Sequence, residues 1–135
     1  MGNATSYDPK KVSVNTNGSI DTGFASDGMI TVTKSEDAVT PEVGLQGDVA
    51  YSENANESGT IVLTFQGTSA SIAKYRKLCD SKKMFPILIS DANDDDSIVI
   101  SGKDCRVTKQ PDIARGKTAG TVSVTIFVPE LQIRQ

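Results

Sequence analysis

A segment near the C-terminus alternates strictly between apolar and other side chains, and this pattern constrains the fold more than any other feature. In residues 121–128, Val122, Val124, Ile126 and Val128 share one face, while threonine, serine and phenylalanine take the positions between them. Successive side chains of a β-strand point to opposite faces, so the pattern predicts a strand with one buried face. Such a strand needs partner strands and a second layer that covers its apolar face.

Extended runs of similar character recur along the chain and are separated by turn residues. In the clearest of them, Ile61, Leu63 and Phe65 share one face. The Asn-Gly pair at positions 17–18 predicts a tight hairpin turn, because this dipeptide adopts the backbone angles of a two-residue turn. The hairpin is expected within residues 11–24, and further extended runs lie at residues 29–34, 86–90 and 97–101.

One segment changes to a helical period. Ile72, Tyr75, Leu78 and Cys79 recur at spacings of three and four, which places them on one side of a helix. We expect one amphipathic helix over about 69–83, packed on a sheet. The predicted fold class is therefore α+β and mainly β: an antiparallel β-sandwich or barrel with one flanking α-helix.

The length of 135 residues fits a single domain over residues 1–135. Its first ten residues are polar, so we expect residues 1–10 to form a flexible N-terminal arm. Between two predicted strands, residues 35–58 form a long acidic segment, in which we expect a loop with one short strand around 43–51. Loops of this length in a compact domain usually serve a function.

Composition argues against several classes of function. The chain has no histidine, which removes the commonest general base and metal ligand, so we predict no enzymatic activity and no cofactor. The net charge is −3, which argues against tight binding to a phosphate backbone. No apolar stretch approaches the ~20 residues of a membrane-spanning helix. The two cysteines, Cys79 and Cys105, are either reduced thiols or partners in a disulfide within or between subunits.

Residues 91–96 concentrate four aspartates and invite comparison with a calcium-binding loop. Asp91, Asn93 and Asp95 match the first three ligand positions of an EF-hand loop. Asp96 stands where that loop needs glycine, and Gly102 stands where it needs glutamate, so the EF-hand motif fails. A looser carboxylate site for a cation stays as an alternative. We predict a solvated turn between the strands at 86–90 and 97–101, since aspartate and asparagine favour turns.

Two segments carry opposite charge. The predicted helix carries Lys74, Arg76 and Lys77, with Lys82 and Lys83 at its C-terminal end. Each segment is either a solvated surface or a contact surface, and the opposite signs favour a head-to-tail contact between copies. The acidic residues of the 35–58 segment are Glu36, Asp37, Glu42, Asp48, Glu53 and Glu57.

The stretch KSEDAVTPEVGLQGDVAYSENANESGTIVLTF, residues 34–65, resembles the middle of tail tube proteins of contractile-tailed bacteriophages. Three features carry the likeness: an acidic SED after a strand, a VGLQGDV segment with two glycines, and ESGTIVLTF opening the strand before the helix. The order of strand, long acidic loop, strand, helix, hairpin and last strand also matches, from about residue 11 onward.

This resemblance implies a virion protein, made in the host cytoplasm, whose hexameric rings stack into a tube that DNA crosses during ejection without specific binding. It implies a sheath around the tube, a tape-measure protein inside it, a baseplate below it and no membrane partner. Residues 35–58 would be the inter-ring loop, and the helix with Lys74, Arg76 and Lys77 would lie outside, near the sheath or neighbouring subunits. A disulfide through Cys79 and Cys105 would cross-link neighbouring subunits.

Alternatives to a tube subunit are another ring-forming component of a tail or secretion tube, such as a terminator or baseplate ring, and a small β-sandwich module that binds calcium or carbohydrate.

Overall fold

The computed structural model describes residues 8–26, 29–93, 97–113, 116–118 and 120–135. In this part of the chain, strands dominate and one α-helix follows the sixth strand. A short 3-10 helix, Pro9–Lys11, precedes the first strand, and residues 1–7 of the expected N-terminal arm lie outside the described residues. The elements are β1 Val12–Thr16, β2 Ser19–Ile20, β3 Ile30–Lys34, β4 Val39–Val43, β5 Val49–Glu53, β6 Gly59–Gln66, α1 Ser71–Ser81, β7 Phe85–Asp91, β8 Ile98–Val107, β9 Thr121–Val128 and β10 Gln132–Arg134.

Eight of these strands form two antiparallel sheets that share β8. Sheet 1 has the order β2-β1-β7-β8, with β10 paired to the other side of β8. Sheet 2 has the order β8-β9-β6-β3. The predicted fold class, mainly β with one flanking helix and an antiparallel sandwich, is confirmed. The sandwich is not a closed barrel, because the path of paired strands ends at β2 on one side and at β3 on the other.

The strand β8 passes from one sheet to the other through a local irregularity. Its pairing with β7 shifts register between Phe85 and Ile87, and Asp104 adopts a left-handed backbone with φ of 56°. Gly102 lies where a Cβ atom would come 2.3 Å from a Val128 methyl carbon, so the two sheets approach too closely there for any side chain. A bulge bends its strand and increases the twist, which redirects β8 toward sheet 2.

The core lies between the sheets and follows the predicted alternation. On β6, Ile61, Leu63 and Phe65 are fully buried, and the alternate residues of β9 beginning at Val122 are buried as well. The Asn17-Gly18 turn is also as predicted: both residues have positive φ, and Thr16 pairs with Ser19 across it.

The helix α1 is shorter than predicted and covers one end of the core. It spans Ser71–Ser81 rather than 69–83, because Lys82 takes a left-handed backbone that ends the helix. Ser69 accepts a hydrogen bond from the Ser71 N–H, which satisfies one donor at the start. Ile72, Tyr75 and Leu78 face the core as predicted. With eleven residues, α1 is too short and too polar to span a membrane, and the described residues contain no other helix long and apolar enough.

The aspartate-rich stretch connects paired strands. Asp91 lies opposite Ile98 in the β7–β8 ladder, and its carboxylate accepts hydrogen bonds from the backbone and side-chain N–H groups of Asn93. This Asx arrangement is typical of a turn and agrees with the turn interpretation. Asp94, Asp95 and Asp96 lie outside the described residues. Among the described residues, no group of three or more acidic or cysteine side chains is placed to hold a metal ion.

Candidate assembly surfaces

Within the 35–58 segment, the structure contains a complete hairpin rather than the one short strand expected around 43–51. β4 and β5 pair from Val39 with Glu53 to Val43 with Val49, and the turn lies between them, where the single strand was expected. All residues from 35 to 53 are exposed, and the hairpin forms its own two-stranded sheet. An isolated two-stranded hairpin is marginally stable in water, so this hairpin is suited to a binding partner.

One face of the hairpin is apolar. Residues that lie opposite each other across an antiparallel pair point to the same face, so the register sorts the side chains into two groups. The polar face carries Thr40, Glu42, Ala50 and Ser52. The apolar face carries Val39, Pro41, Val43, Val49 and Tyr51, with Glu53 at its base. Tyr51 is 72% exposed and Val43 67% exposed, and side chains of this kind are commonly buried at protein interfaces.

The acidic residues predicted for the inter-ring loop are all exposed. Glu42 lies on the polar face, Asp48 in the turn and Glu53 at the base of the apolar face. Glu36 accepts a hydrogen bond from the Asn54 side chain, which ties the two ends of the hairpin together. The negative charges therefore surround the apolar face rather than form the centre of the surface.

The helix lies far from the hairpin. β6 begins next to the hairpin and leads into α1, and its eight residues span about 26 Å at ~3.3 Å per residue. Of the basic residues predicted to contact a partner, Lys74 pairs with the buried Asp21. Arg76 donates to the side chain of Gln110 and to the carbonyl of Pro111, at 3.2 and 2.9 Å. Both side chains therefore have roles inside the chain.

Lys77 differs from these two residues. It is exposed, and it makes no ion pair within the described part of the chain. The exposed Lys82 and Lys83 extend the positive surface beyond the end of α1.

The two cysteines are free thiols in the described chain. Cys105 is fully buried between the sheets, and burial, together with the neighbouring Asp104, raises the pKa of its thiol to about 11. Cys79 on α1 is half-buried. A disulfide between subunits stays a prediction, and the burial of Cys105 makes it the less accessible partner.

We expect thiol labelling to separate the two cysteines. Iodoacetamide at pH 8 should modify Cys79 in the reduced native protein and leave Cys105 unmodified, because the Cys105 thiol is inaccessible and stays protonated at that pH. Peptide mass spectrometry gives the extent of modification at each site. Both sites should react in denaturant, which is the control. Equal modification of both sites in the native protein would contradict this assignment of burial.

Comparison with known proteins identifies the family. The family model described as bacteriophage PhiTE tail tube protein matches residues 11–134. The chain belongs to this family. Members are structural tail tube proteins, so the resemblance predicted from residues 34–65 is confirmed, and the chain is a component of a virion or extracellular particle. No curated protein sequence matches the chain.

Solved structures with the same fold come from contractile injection systems. The anti-feeding prophage cap, which terminates the tube, is 12% identical with a TM-score of 0.63, covering 100% of this chain and 95% of the other. The sheath/tube terminator of an extracellular contractile injection system called PVC, in the extended state, is 10% identical with a TM-score of 0.63, covering 93% and 94%. The extended PVC sheath-tube complex contains a chain 12% identical with a TM-score of 0.59, covering 96% and 91%. At such identities these likenesses establish a shared fold.

Proposed function

We propose that this tail tube family member is the subunit of the tube itself: copies form hexameric rings, the rings stack, and the hollow tube conducts DNA during ejection. The observation that carries the proposal is the exposed hairpin, whose apolar face has no cover in the described part of the chain. A family of tail tube proteins supplies the natural partner, which is another copy of the same chain. The open ends of the sandwich at β2 and β3 also favour lateral partners, because unpaired strand edges are a liability in a lone subunit.

The hairpin is the proposed inter-ring contact. It projects from one end of β6 while α1 lies at the other end, so a stack of identical subunits brings unlike surfaces together. A contact between two different surfaces of one chain is heterologous, and repeated heterologous contacts build rings or filaments.

The outward face of sheet 2 is suited to the wall of a DNA conduit. On this face, the side chains alternate with those of the core residues. Most of them carry a hydroxyl group and no charge, apart from Arg106 at the margin of the sheet. A wall without a row of lysines does not hold the phosphate backbone, which favours sliding over binding. The hydroxyl-bearing members are Thr31, Thr33, Thr60, Thr64, Thr121, Ser123 and Thr125.

The proposed partners follow from the tube. A contractile sheath surrounds it, a tape-measure protein fills it before ejection, and a baseplate ends it. One neighbouring fold comes from a sheath-tube complex, which supports a sheath partner. We propose that Lys77 and the adjacent lysines near α1 provide the outer contact, because Lys74 and Arg76 are already engaged within the chain.

A tube terminator is the second candidate, since two of the structures with the same fold are a cap and a terminator. Negative-stain electron microscopy of the purified protein over a range of concentrations separates the two functions. A tube subunit should give rings and then long stacks as concentration rises, whereas a terminator should give single rings that do not stack. A monomer at every concentration would contradict both.

A further inference from the structure

The core of the sandwich is open at one point beside β3. A groove of about 290 Å³ lies between this edge strand and the inner face of sheet 1. Its lining is apolar apart from Asp91, and every lining side chain except the buried Ile89 is only half-buried. Half-buried side chains still expose part of their apolar surface to water. An apolar partner in the groove would bury that surface, which is favourable. The lining includes Val12, Ile30, Val32, Ile98 and Ile100.

Among the described strands, none pairs with β3 on the side away from β6. The N–H of Thr64 donates to the carbonyl of Met29, and the N–H of Ser35 donates to the carbonyl of Ser58. These two hydrogen bonds show which pairs of opposite residues bond across the β3–β6 ladder. Ile30 and Val32 belong to the alternate pairs, so their N–H and C=O groups point to the outer edge. The residues whose side chains line the groove therefore also offer unpaired backbone groups beside it.

The hairpin offers a matching edge on β5. The N–H of Asn54 donates to the carbonyl of Ala38, and the N–H of Gly44 donates to the carbonyl of Asp48. Between these two hydrogen-bonded pairs, every second pair of opposite residues bonds across the hairpin. By this alternation the N–H and C=O groups of Val49 and Tyr51 point outward. These are also the residues of β5 on the apolar face.

The other edge of the hairpin is closed by proline. Pro41 lies opposite Tyr51 and occupies an outward-pointing position on β4, where it has no N–H to donate. Proline on an edge strand blocks the addition of another strand. Of the two hairpin edges, β5 is therefore the one able to add to a sheet.

We infer that β5 of a second copy adds to the free edge of β3 and inserts Val49 and Tyr51 into the groove. This inference rests on the proposed self-assembly and names its contact. Strand addition combines backbone hydrogen bonds with alternate side chains in pockets, and both parts are present here. The exposed Lys10 and Lys11 precede Val12 at the groove and have the sign opposite to the acidic hairpin, whereas Asp91 repels it. The carboxylates of the hairpin should therefore lie toward the lysines.

Disulfide trapping between two variants tests this contact. Val32 is the middle one of the outward-pointing β3 positions 30, 32 and 34, and Tyr51 is the middle one of the β5 positions 49, 51 and 53. A full-length antiparallel pairing places these two residues opposite each other. In an antiparallel pairing their Cα atoms would be about 5.5 Å apart, which a disulfide spans. Val32→Cys chains mixed with Tyr51→Cys chains, both in a Cys79→Ser background, should form a cross-linked dimer on oxidation of the assembled protein.

The matched control replaces Tyr51→Cys with Thr40→Cys, which lies on the polar face of the other hairpin strand and should not cross-link. Tubes or rings seen by microscopy without the 32–51 cross-link would overturn the inference and leave the proposed function standing. Absence of any assembly in the unmodified protein would remove the proposed function, and the inference with it.

A second variant tests the same contact without depending on the folding of the cysteine variants. Tyr51→Pro removes the outward N–H at this exposed position and leaves the bonds to β4 intact, as Pro41 does on the opposite strand. We expect assembly to be lost while the melting temperature of the monomer stays unchanged. Normal assembly of Tyr51→Pro would overturn the inference.

Discussion

A variant in which Val39–Glu53 is replaced by Asn-Gly is expected to fold normally and to form no tubes. The replacement removes the whole apolar face of the hairpin, including Val43 and Tyr51, and with it the proposed contact between rings. Interfaces depend on a few buried aromatic and aliphatic anchors, so the loss of all of them should abolish stacking rather than weaken it.

The monomer should survive this replacement because the hairpin lies outside the core. Its residues are exposed, and its strands pair with each other in a sheet of their own. Ala38 and Asn54, which would flank the new turn, already form a backbone hydrogen bond. Asn-Gly is the preferred dipeptide for a two-residue turn between such positions. Glu57, whose carbonyl accepts the N–H of Leu131, is retained.

Sedimentation and negative-stain microscopy measure the loss of assembly, and circular dichroism checks the fold. Two point-variant sets serve as matched controls. Serine at Val43, Val49 and Tyr51 should reproduce the loss, whereas Glu42→Gln with Asp48→Asn should preserve assembly, because these charges lie outside the apolar face. Tubes formed by the shortened chain would show that the hairpin is not the stacking contact. Loss of assembly in the charge variants alone would show that the acidic residues form the stacking contact.

The elements that the sequence predicted well have a periodic pattern of their own. The strands β6 and β9 and the helix α1 each bury one face, so Leu63, Val124 and Tyr75 could be assigned to the core from spacing alone. The bounds of α1 were too wide, because the left-handed conformation of Lys82 left no clear signal among the lysines that follow Ser81.

The hairpin was missed although its signal is present. Val39, Pro41 and Val43 alternate with Thr40 and Glu42, and Val49 and Tyr51 lie on either side of the small Ala50. A glycine-rich turn separates the two runs. Proline inside a run argues against a strand, and the acidic composition of the segment favoured a loop. Proline is tolerated in a strand where its nitrogen points away from the partner strand, as at Pro41. Only the pairing register shows which way this nitrogen points.

The groove and the buried network at Asp21 depend on contacts between distant parts of the chain. Val12 and Ile98 line one groove although 86 positions separate them in the numbering. The hydroxyl groups of Thr16 and Tyr75 lie 2.8 Å apart across a separation of 59 residues. No local pattern marks such contacts, because they arise when the sheets pack together.

Replacing Asp21 with alanine is expected to cause the largest loss of monomer stability among single polar substitutions. The Asp21 side chain is fully buried, accepts hydrogen bonds from the hydroxyl groups of Tyr75 and Thr16, and pairs with Lys74. These contacts join the β1–β2 hairpin to α1. Burial first, and then this carboxylate, raise the pKa of Tyr75, so the phenol stays protonated and donates to Asp21.

Loss of one partner from a buried charged network costs about 3–5 kcal/mol. We expect the lower end, about 3 kcal/mol, because Lys74 is partly exposed and can turn toward water once its partner is removed. Asp21→Asn keeps an acceptor for Tyr75 and should cost less, about 1–2 kcal/mol. Urea denaturation of the shortened chain gives these values without interference from tube assembly. Asp37→Ala, at an exposed acidic position, is the control and should change little.

A loss for Asp21→Ala no larger than that for Asp37→Ala would mean that the network does not hold α1 to the sandwich. The double variant with Tyr75→Phe sharpens the comparison. Since Tyr75 and Asp21 share one hydrogen bond, their separate costs should sum to more than the cost of the double variant. Additive costs would place the two residues in independent roles and would show that the hydrogen bond between them does not contribute to the attachment of α1.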